Sequence, residues 1–371
     1  MKKENIVRKN LDFSMLITII ILLCIGILMV STASSYHALS TYGDSNYLLT
    51  RQLIFAVAGV VAMLVISRID YKIYKRWSYL FYILALLLLI AVLTPLGVTV
   101  NGAKRWLGIG LLRFQPSEIM KLALVLATST YISLNIKKIN SIKGYIVPIL
   151  LILIVVIVMF LQKHMSGTLV MLVASASIIF ASGLKIKTRY VVAIVLIGLV
   201  AVTAFIVAEP FRVQRILAFT HPEEDITGDN WQAAQSLYAI GSGGIFGRGI
   251  GQSRQKYLWL PEAQNDFIFS ILGEEFGLAG TALVLGIFTF FIYRGYRIAI
   301  TCKDLYGSLI ATGITSVFAV QIIVNIAVVT CSMPVTGMPL PFFSYGGTAL
   351  FINLCAMGIL LSVSRNCKNE S

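Results

Sequence analysis

Ionisable residues are scarce in this 371-residue chain, and those that interrupt its apolar stretches gather at three places. The first is Asn101-Gly102-Ala103-Lys104-Arg105-Trp106-Leu107-Gly108, which leads through Phe114-Gln115-Pro116-Ser117-Glu118 into an apolar run containing Lys121. Lys104, Arg105 and Arg113 lie close together in sequence, a set of cations suited to an anionic ligand. Pro116 and Ser117 suit a helix start, and Glu118 then lies i, i+3 from Lys121 on one face, so this pair can also simply neutralise itself.

The second place is Gly241-Ser242-Gly243-Gly244-Ile245-Phe246-Gly247-Arg248-Gly249-Ile250-Gly251, with six glycines in eleven residues. Two accounts stand: a flexible turn between interfacial helices, or backbone N–H groups brought close to a phosphate with Arg248 adding charge. No strand precedes the segment, which excludes a dinucleotide-binding fingerprint. The third place runs from Leu260-Pro261-Glu262 through Asn265-Asp266-Phe267 to Gly273-Glu274-Glu275-Phe276-Gly277. Acids near a helix start are favoured by its dipole, which would account for Glu262 and Asp266. Glu274 and Glu275 sit deeper in an apolar run, where a charge at the bilayer centre costs at least roughly 2.5 kcal/mol and is a functional candidate by default.

The elements that must carry these residues follow from composition. Only 12% of residues are charged and 58% are hydrophobic, against roughly 25% charged in soluble domains. Apolar runs of the length that crosses a bilayer as a helix recur along the whole chain. They predict about ten spans, near 13–34, 48–67, 77–95, 116–135, 145–161, 166–183, 190–208, 266–293, 306–330 and 344–364. The first is too long for a signal-peptide core and is expected to stay as a helix. The expectation is therefore an all-α integral membrane protein, residues 1–371 forming one polytopic domain.

Placing the cations on these spans tests the orientation. With the N-terminus inside, 19 of the 30 Lys and Arg fall in inner segments and five in short outer ones, so both termini are expected to be cytoplasmic. The net charge of +14 is then a matter of topology and of anionic lipid headgroups, and its scatter among loops excludes a nucleic-acid footprint. The segment 209–265 becomes one long outer loop, expected to carry re-entrant or interfacial helices, with an amphipathic stretch over 232–240. Cysteine spacing indicates neither a zinc site nor a disulfide framework. The last irregular region, Ser332-Met333-Pro334 to Gly346-Gly347-Thr348, has three prolines and cannot form a continuous helix. It is either a tight external turn or broken backbone lining a cavity.

NGAKRWLGIG, FQPSEIMKLAL, AIGSGGIFGRGIGQSRQKYLWLPEAQNDFIFSILGEEFGLAGT and MPVTGMPLPFFSYGGTAL resemble, in order and spacing, the SEDS family of shape, elongation, division and sporulation proteins. QSRQKY before LPE looks closer to the FtsW and SpoVE branch than to RodA. The resemblance implies a ten-helix membrane fold in the bacterial cytoplasmic membrane. It implies a peptidoglycan glycosyltransferase that polymerises lipid II, an undecaprenyl-pyrophosphate-linked precursor, together with a class B penicillin-binding transpeptidase. By the same resemblance Asp266 is the catalytic acid of the LPE…DF segment, with Glu262 beside it. Arg105 matches the NGA-basic-RW motif, and Glu118 and Lys121 match the QPSE span. Two departures stand out: Asn265 where relatives commonly have Thr, and His164-Met165-Ser166 where many have an acidic Asp-x-Gly-Thr, so no role of that Asp carries over.

Glycan polymerisation needs a base for the acceptor hydroxyl and cations for the departing pyrophosphate. Asp266 suits the first, and Lys104, Arg105, Lys121 and Arg248 suit the second. A divalent cation could assist, but no ligand cluster in the sequence demands one. The rival expectations are a lipid II flippase and a non-catalytic scaffold for a penicillin-binding protein.

Overall fold

The computed structural model describes residues 11–100, 103–109, 112–137, 142–183 and 231–367. The expected span at 190–208, the start of the long loop, and the inner cations Lys185, Lys187 and Arg189 lie outside the described residues.

Ten helices are described: α1 (Phe13–Tyr42), α2 (Tyr47–Ile66), α3 (Lys72–Ala91), α4 (Pro116–Leu134), α5 (Ile146–Leu161), α6 (Met165–Ala181), α7 (Trp231–Ser242), α8 (Ile268–Thr301), α9 (Leu305–Val329) and α10 (Gly347–Cys367). Among the described residues, α1, α2, α3, α8, α9 and α10 are long and apolar enough to cross a membrane, and α5 and α6 are shorter apolar helices. Local chemistry sets several ends. Asp12 caps α1 by accepting the Met15 N–H at 3.1 Å, Gly43 ends it with φ 74°, and Pro116 occupies the first turn of α4. Exposed aliphatic residues such as Ile54, Val57 and Val61 on α2 and Ile83, Leu84 and Leu87 on α3 form an apolar outer surface suited to lipid.

The interior is built on α4, α9 and α10. Most of α4 is buried, because it packs against α3, α6 and α9. The proline-rich segment before α10 also lies inside the protein, with Phe342 and Phe343 buried. Phe342 stacks on Phe318 with ring centroids 5.4 Å apart and meets Phe291 edge-on at 5.7 Å. Gly26 on α1 permits this insertion, since a Cβ there would stand 2.2 Å from the Phe342 carbonyl oxygen. Of the two accounts open for that segment, the structure supports broken backbone enclosed by protein.

Helix α8 is interrupted at Gly277, whose φ of 67° and ψ of −167° belong to a region essentially reserved for glycine. The glycine-rich segment packs into this break: the Leu278 N–H donates to the Gly244 carbonyl and the Gly249 N–H to the Glu275 carbonyl, at 2.9 and 3.0 Å. Two features went unseen in the sequence. Three strands, β1 (Gly97–Val100), β2 (Ala103–Ile109) and β3 (Leu112–Phe114), form an antiparallel sheet in the order β1-β2-β3. The structure also places Cys302 and Cys367 side by side, with Cα atoms 4.8 Å apart, a pairing that cysteine spacing did not indicate. They are 65 residues apart in sequence, and only the convergence of the ends of α8 and α10 brings them together.

Candidate active site

β2 is the central strand of the sheet, paired with β1 on one side and β3 on the other. It carries Lys104 and Arg105, and the Lys104 stem lies over Gly97 of the paired strand. The Arg105 guanidinium donates to the Lys163 carbonyl at the turn between α5 and α6. From there its charge reaches Asp266 on one side and His164 on the other.

Asp266 sits in the turn that enters α8, two residues after the buried Gln264 and just before the buried Phe267. Burial pushes its carboxyl up, the neighbouring Glu262 charge pushes it further, and Arg105 partly offsets both, leaving a pKa of about 7. Glu262 adopts φ 55° and accepts from the Asn265 side-chain amide. Asn265 therefore orients the neighbouring acid through its hydrogen-bonding side chain. The segment before α10 closes the other side: at Gly337, with φ 68°, a Cβ would lie 3.4 Å from Asp266 Oδ2. Asp266, Glu262 and Arg105 thus come together from the long loop and β2.

Glu118 and Lys121 occupy different ground. They form a 2.7 Å ion pair on α4 with side chains 8% and 6% exposed, at a cavity also lined by Ile314, Phe318 and Asn353. Arg248 has an internal partner too. Its guanidinium lies 3.8 Å from Glu274, and its Nε donates to the Ser242 carbonyl. The Glu274 carboxylate also accepts from the Ser253 hydroxyl and from the N–H groups of Arg254 and Gln255, at 3.0 and 3.3 Å for the latter two. Residues 253–255 thus wrap around the chain's own carboxylate, while the glycine-rich segment directs the Arg248 and Gly249 N–H groups to the backbone carbonyls of Glu274 and Glu275. Among the described contacts, Arg248 joins this group and not that of Asp266.

His164 is the residue whose importance the sequence understated. It is buried, and its Nδ1 caps α6 by accepting the Gly167 N–H at 3.3 Å. Burial, and then the charges of Arg105 and Lys121, push its pKa down to about 3, so the ring is neutral. With Nδ1 accepting, the proton must be on Nε2, which faces the Gln115 amide at 2.7 Å. Gln115 must then turn its oxygen to the ring. A histidine can so join the starts of α4 and α6 without adding negative charge beside Arg105. The only signal for this in the sequence was the departure itself. Among the described residues, no three His, Cys, Asp or Glu gather as a metal-binding group.

The family model for the cell cycle proteins FtsW, RodA and SpoVE matches residues 13–369. Stage V sporulation protein E of Bacillus subtilis is 42% identical over 356 residues, covering 95% of this chain and 97% of that protein. The "Probable peptidoglycan glycosyltransferase FtsW" of Trichlorobacter lovleyi is 38% identical, covering 96% of this chain and 94% of its own. Among solved structures, a chain from a peptidoglycan synthase complex that coordinates polymerisation and crosslinking matches with a TM-score of 0.79 and 28% identity, covering 97% of this chain and 99% of that one. The rod shape determining protein RodA of Thermus thermophilus matches at 0.70 and 27%, covering 96% of this chain and 97% of its own. Full-length matches of this kind make this chain a member of the FtsW, RodA and SpoVE family of multi-pass membrane proteins.

Proposed function

We infer that this protein is a peptidoglycan glycosyltransferase that polymerises lipid II at the outer face of the bacterial cytoplasmic membrane. The observation that carries the reading is a carboxyl with a pKa of about 7 held beside Arg105, because a general base works best when its pKa lies near the working pH. Asp266 takes the proton from the acceptor sugar hydroxyl as that oxygen bonds to the anomeric carbon of the donor. The bond to the lipid pyrophosphate breaks, and Arg105, with Lys104 next to it on β2, meets the negative charge that leaves. Lys121 and Arg248 would have to exchange their present acidic partners for substrate, so they are weaker candidates for that task. Magnesium on substrate phosphates needs only one or two protein carboxylates, so a divalent cation fits this reading without a preformed cluster. A class B penicillin-binding transpeptidase is the proposed partner, in keeping with the similarity to a chain of a synthase complex.

The test is purified protein given lipid II in detergent, with its partner, across a range of pH. Glycan strands should form, and since the base acts deprotonated, the rate should climb with pH through a midpoint of about 7. A flat profile from pH 5 to 8 would remove Asp266 as the base. Lipid II crossing vesicle membranes with no glycan formed would instead favour a flippase.

The orientation belongs to the same proposal. In intact cells, in a variant lacking the five native cysteines, a membrane-impermeant thiol reagent should label Phe246→Cys, which is highly exposed, and leave Arg297→Cys untouched. The reverse pattern would place Asp266 on the wrong side of the membrane for lipid II polymerisation outside.

A further inference from the structure

Three consecutive carbonyls lead into α8, and each is held by a donor from a distant part of the chain. The Gln264 carbonyl accepts from the Tyr345 N–H at 2.9 Å. The Asn265 carbonyl accepts from the Ser344 hydroxyl, and the Asp266 carbonyl from Asn325 Nδ2 at 2.7 Å. Asn325 uses its other amide hydrogen on the Met338 carbonyl, also at 2.7 Å, which ties the turn of Asp266 to the segment around Gly337. Ser344 is itself fixed, because its oxygen accepts from the Leu340 N–H at 2.7 Å. On the far side of that segment, Gln52 of α2 donates to the Ser344 carbonyl and accepts from the Gly346 N–H, both at 3.2 Å.

Asparagine and glutamine are unexpected inside apolar helices, where an unpaired amide is costly. Asn325 and Gln52 are nevertheless buried near the end of α9 and near the start of α2. Neither is needed by its own helix, and both direct their amides to the two segments that flank Asp266. A carboxylate that acts as base must be held within a few tenths of an ångström of its proton donor, and its reach is set by the backbone that carries it.

We propose that Asn325, Ser344 and the Tyr345 N–H form a clamp on the backbone of residues 264–266 that positions the Asp266 carboxylate for proton transfer, braced from α2 by Gln52. These are positioning groups, since they act through Asp266 and touch no substrate. The proposal rests on Asp266 being the base. It assigns the irregular segment before α10 a catalytic purpose: it carries one jaw of the clamp and, at Gly337, the close approach of its backbone to the Oδ2 side of the carboxylate.

The experiment compares wild type, Asn325→Leu, Ser344→Ala and Ser344→Thr, each purified with its partner, for kcat, KM and the pH midpoint of polymerisation, with Asp266→Asn run alongside. Loosening the clamp should lower kcat about tenfold to a hundredfold while KM stays within about twofold. It should also shift the pH midpoint down by roughly one unit, because a carboxyl that moves toward water regains its ordinary acidity. Ser344→Thr keeps the hydroxyl and should restore both readouts. An unchanged kcat and midpoint in Ser344→Ala, or a raised KM alone, would overturn the clamp. Ser344→Ala decides the matter if Asn325→Leu does not fold. An inactive Asp266→Asn beside fully active clamp variants would leave the base in place and remove only the clamp. An active Asp266→Asn would remove the base and, with it, the clamp.

Discussion

Asp266→Asn should lower the rate of lipid II polymerisation by about a hundredfold to ten-thousandfold, the usual worth of a general base. The protein should stay folded, and at pH 8 it should melt at a higher temperature than the wild type. The two effects have one cause. The Asp266 carboxyl is raised from an ordinary value of 3.8 to about 7 in the folded protein, so folding takes up a proton between those values. The stability this uptake contributes is present at low pH and is lost as pH rises through 7, where the half-buried carboxylate becomes charged beside Glu262. Asn carries no such charge, so its advantage should be largest above pH 7 and shrink toward pH 5. An acid that merely started a helix would behave otherwise, because Asn caps helices about as well as Asp. Polymerisation assays and melting curves at pH 5 and 8 check both halves. A variant that kept more than about a tenth of the wild-type rate would exclude base catalysis here.

Lys121→Met should destabilise the protein by about 3–5 kcal/mol, since it strands the Glu118 carboxylate inside the protein. Lys121 Nζ and Glu118 Oε2 are 2.7 Å apart, and both side chains are almost wholly buried on α4. Replacing both, as Glu118→Gln with Lys121→Met, removes the charge as well as its partner and should recover most of that loss. Denaturation of the two variants in detergent makes the comparison, and polymerisation by the double variant then separates two roles. Substantial activity would make the pair a structural element of the central helix. A stable but inactive double variant would show that the pair also serves the substrate through the cavity it borders. A single variant as stable as wild type would show that Glu118 does not depend on Lys121 at all.

The legible part of this protein is the part that answers to lipid. Hydrocarbon demands long apolar helices, so spans such as 48–67 and 306–330 could be drawn within a few residues of α2 and α9. The amphipathic stretch at 232–240 is the helix α7, and Pro116 opens α4 as its position in the sequence suggested. Asp266 and Arg105 could be singled out because the LPE…DF and NGA-basic-RW motifs that carry them resemble those of the family. The strands of residues 97–114 could not be foreseen, because a short strand is stable only once its partners exist, and Lys104 shows that dependence by resting its stem on Gly97.

Sequence alone therefore determined the membrane fold class, most span positions and the short list of ionisable residues near the chemistry. Tertiary structure decided what each of them faces. Arg248 and the glycine-rich segment, open to a phosphate on sequence grounds, are turned toward Glu274 and the break in α8. His164 became a neutral cap joined to Gln115, and Cys302 found Cys367. The carbonyls of residues 264–266 are held by residues up to 81 positions away, counting from Gln264 to Tyr345. Hydropathy is a local sum, which a chain displays before it folds. A hydrogen bond or an ion pair between helices depends on their packing angle and register to within a fraction of an ångström, and no local pattern records that geometry.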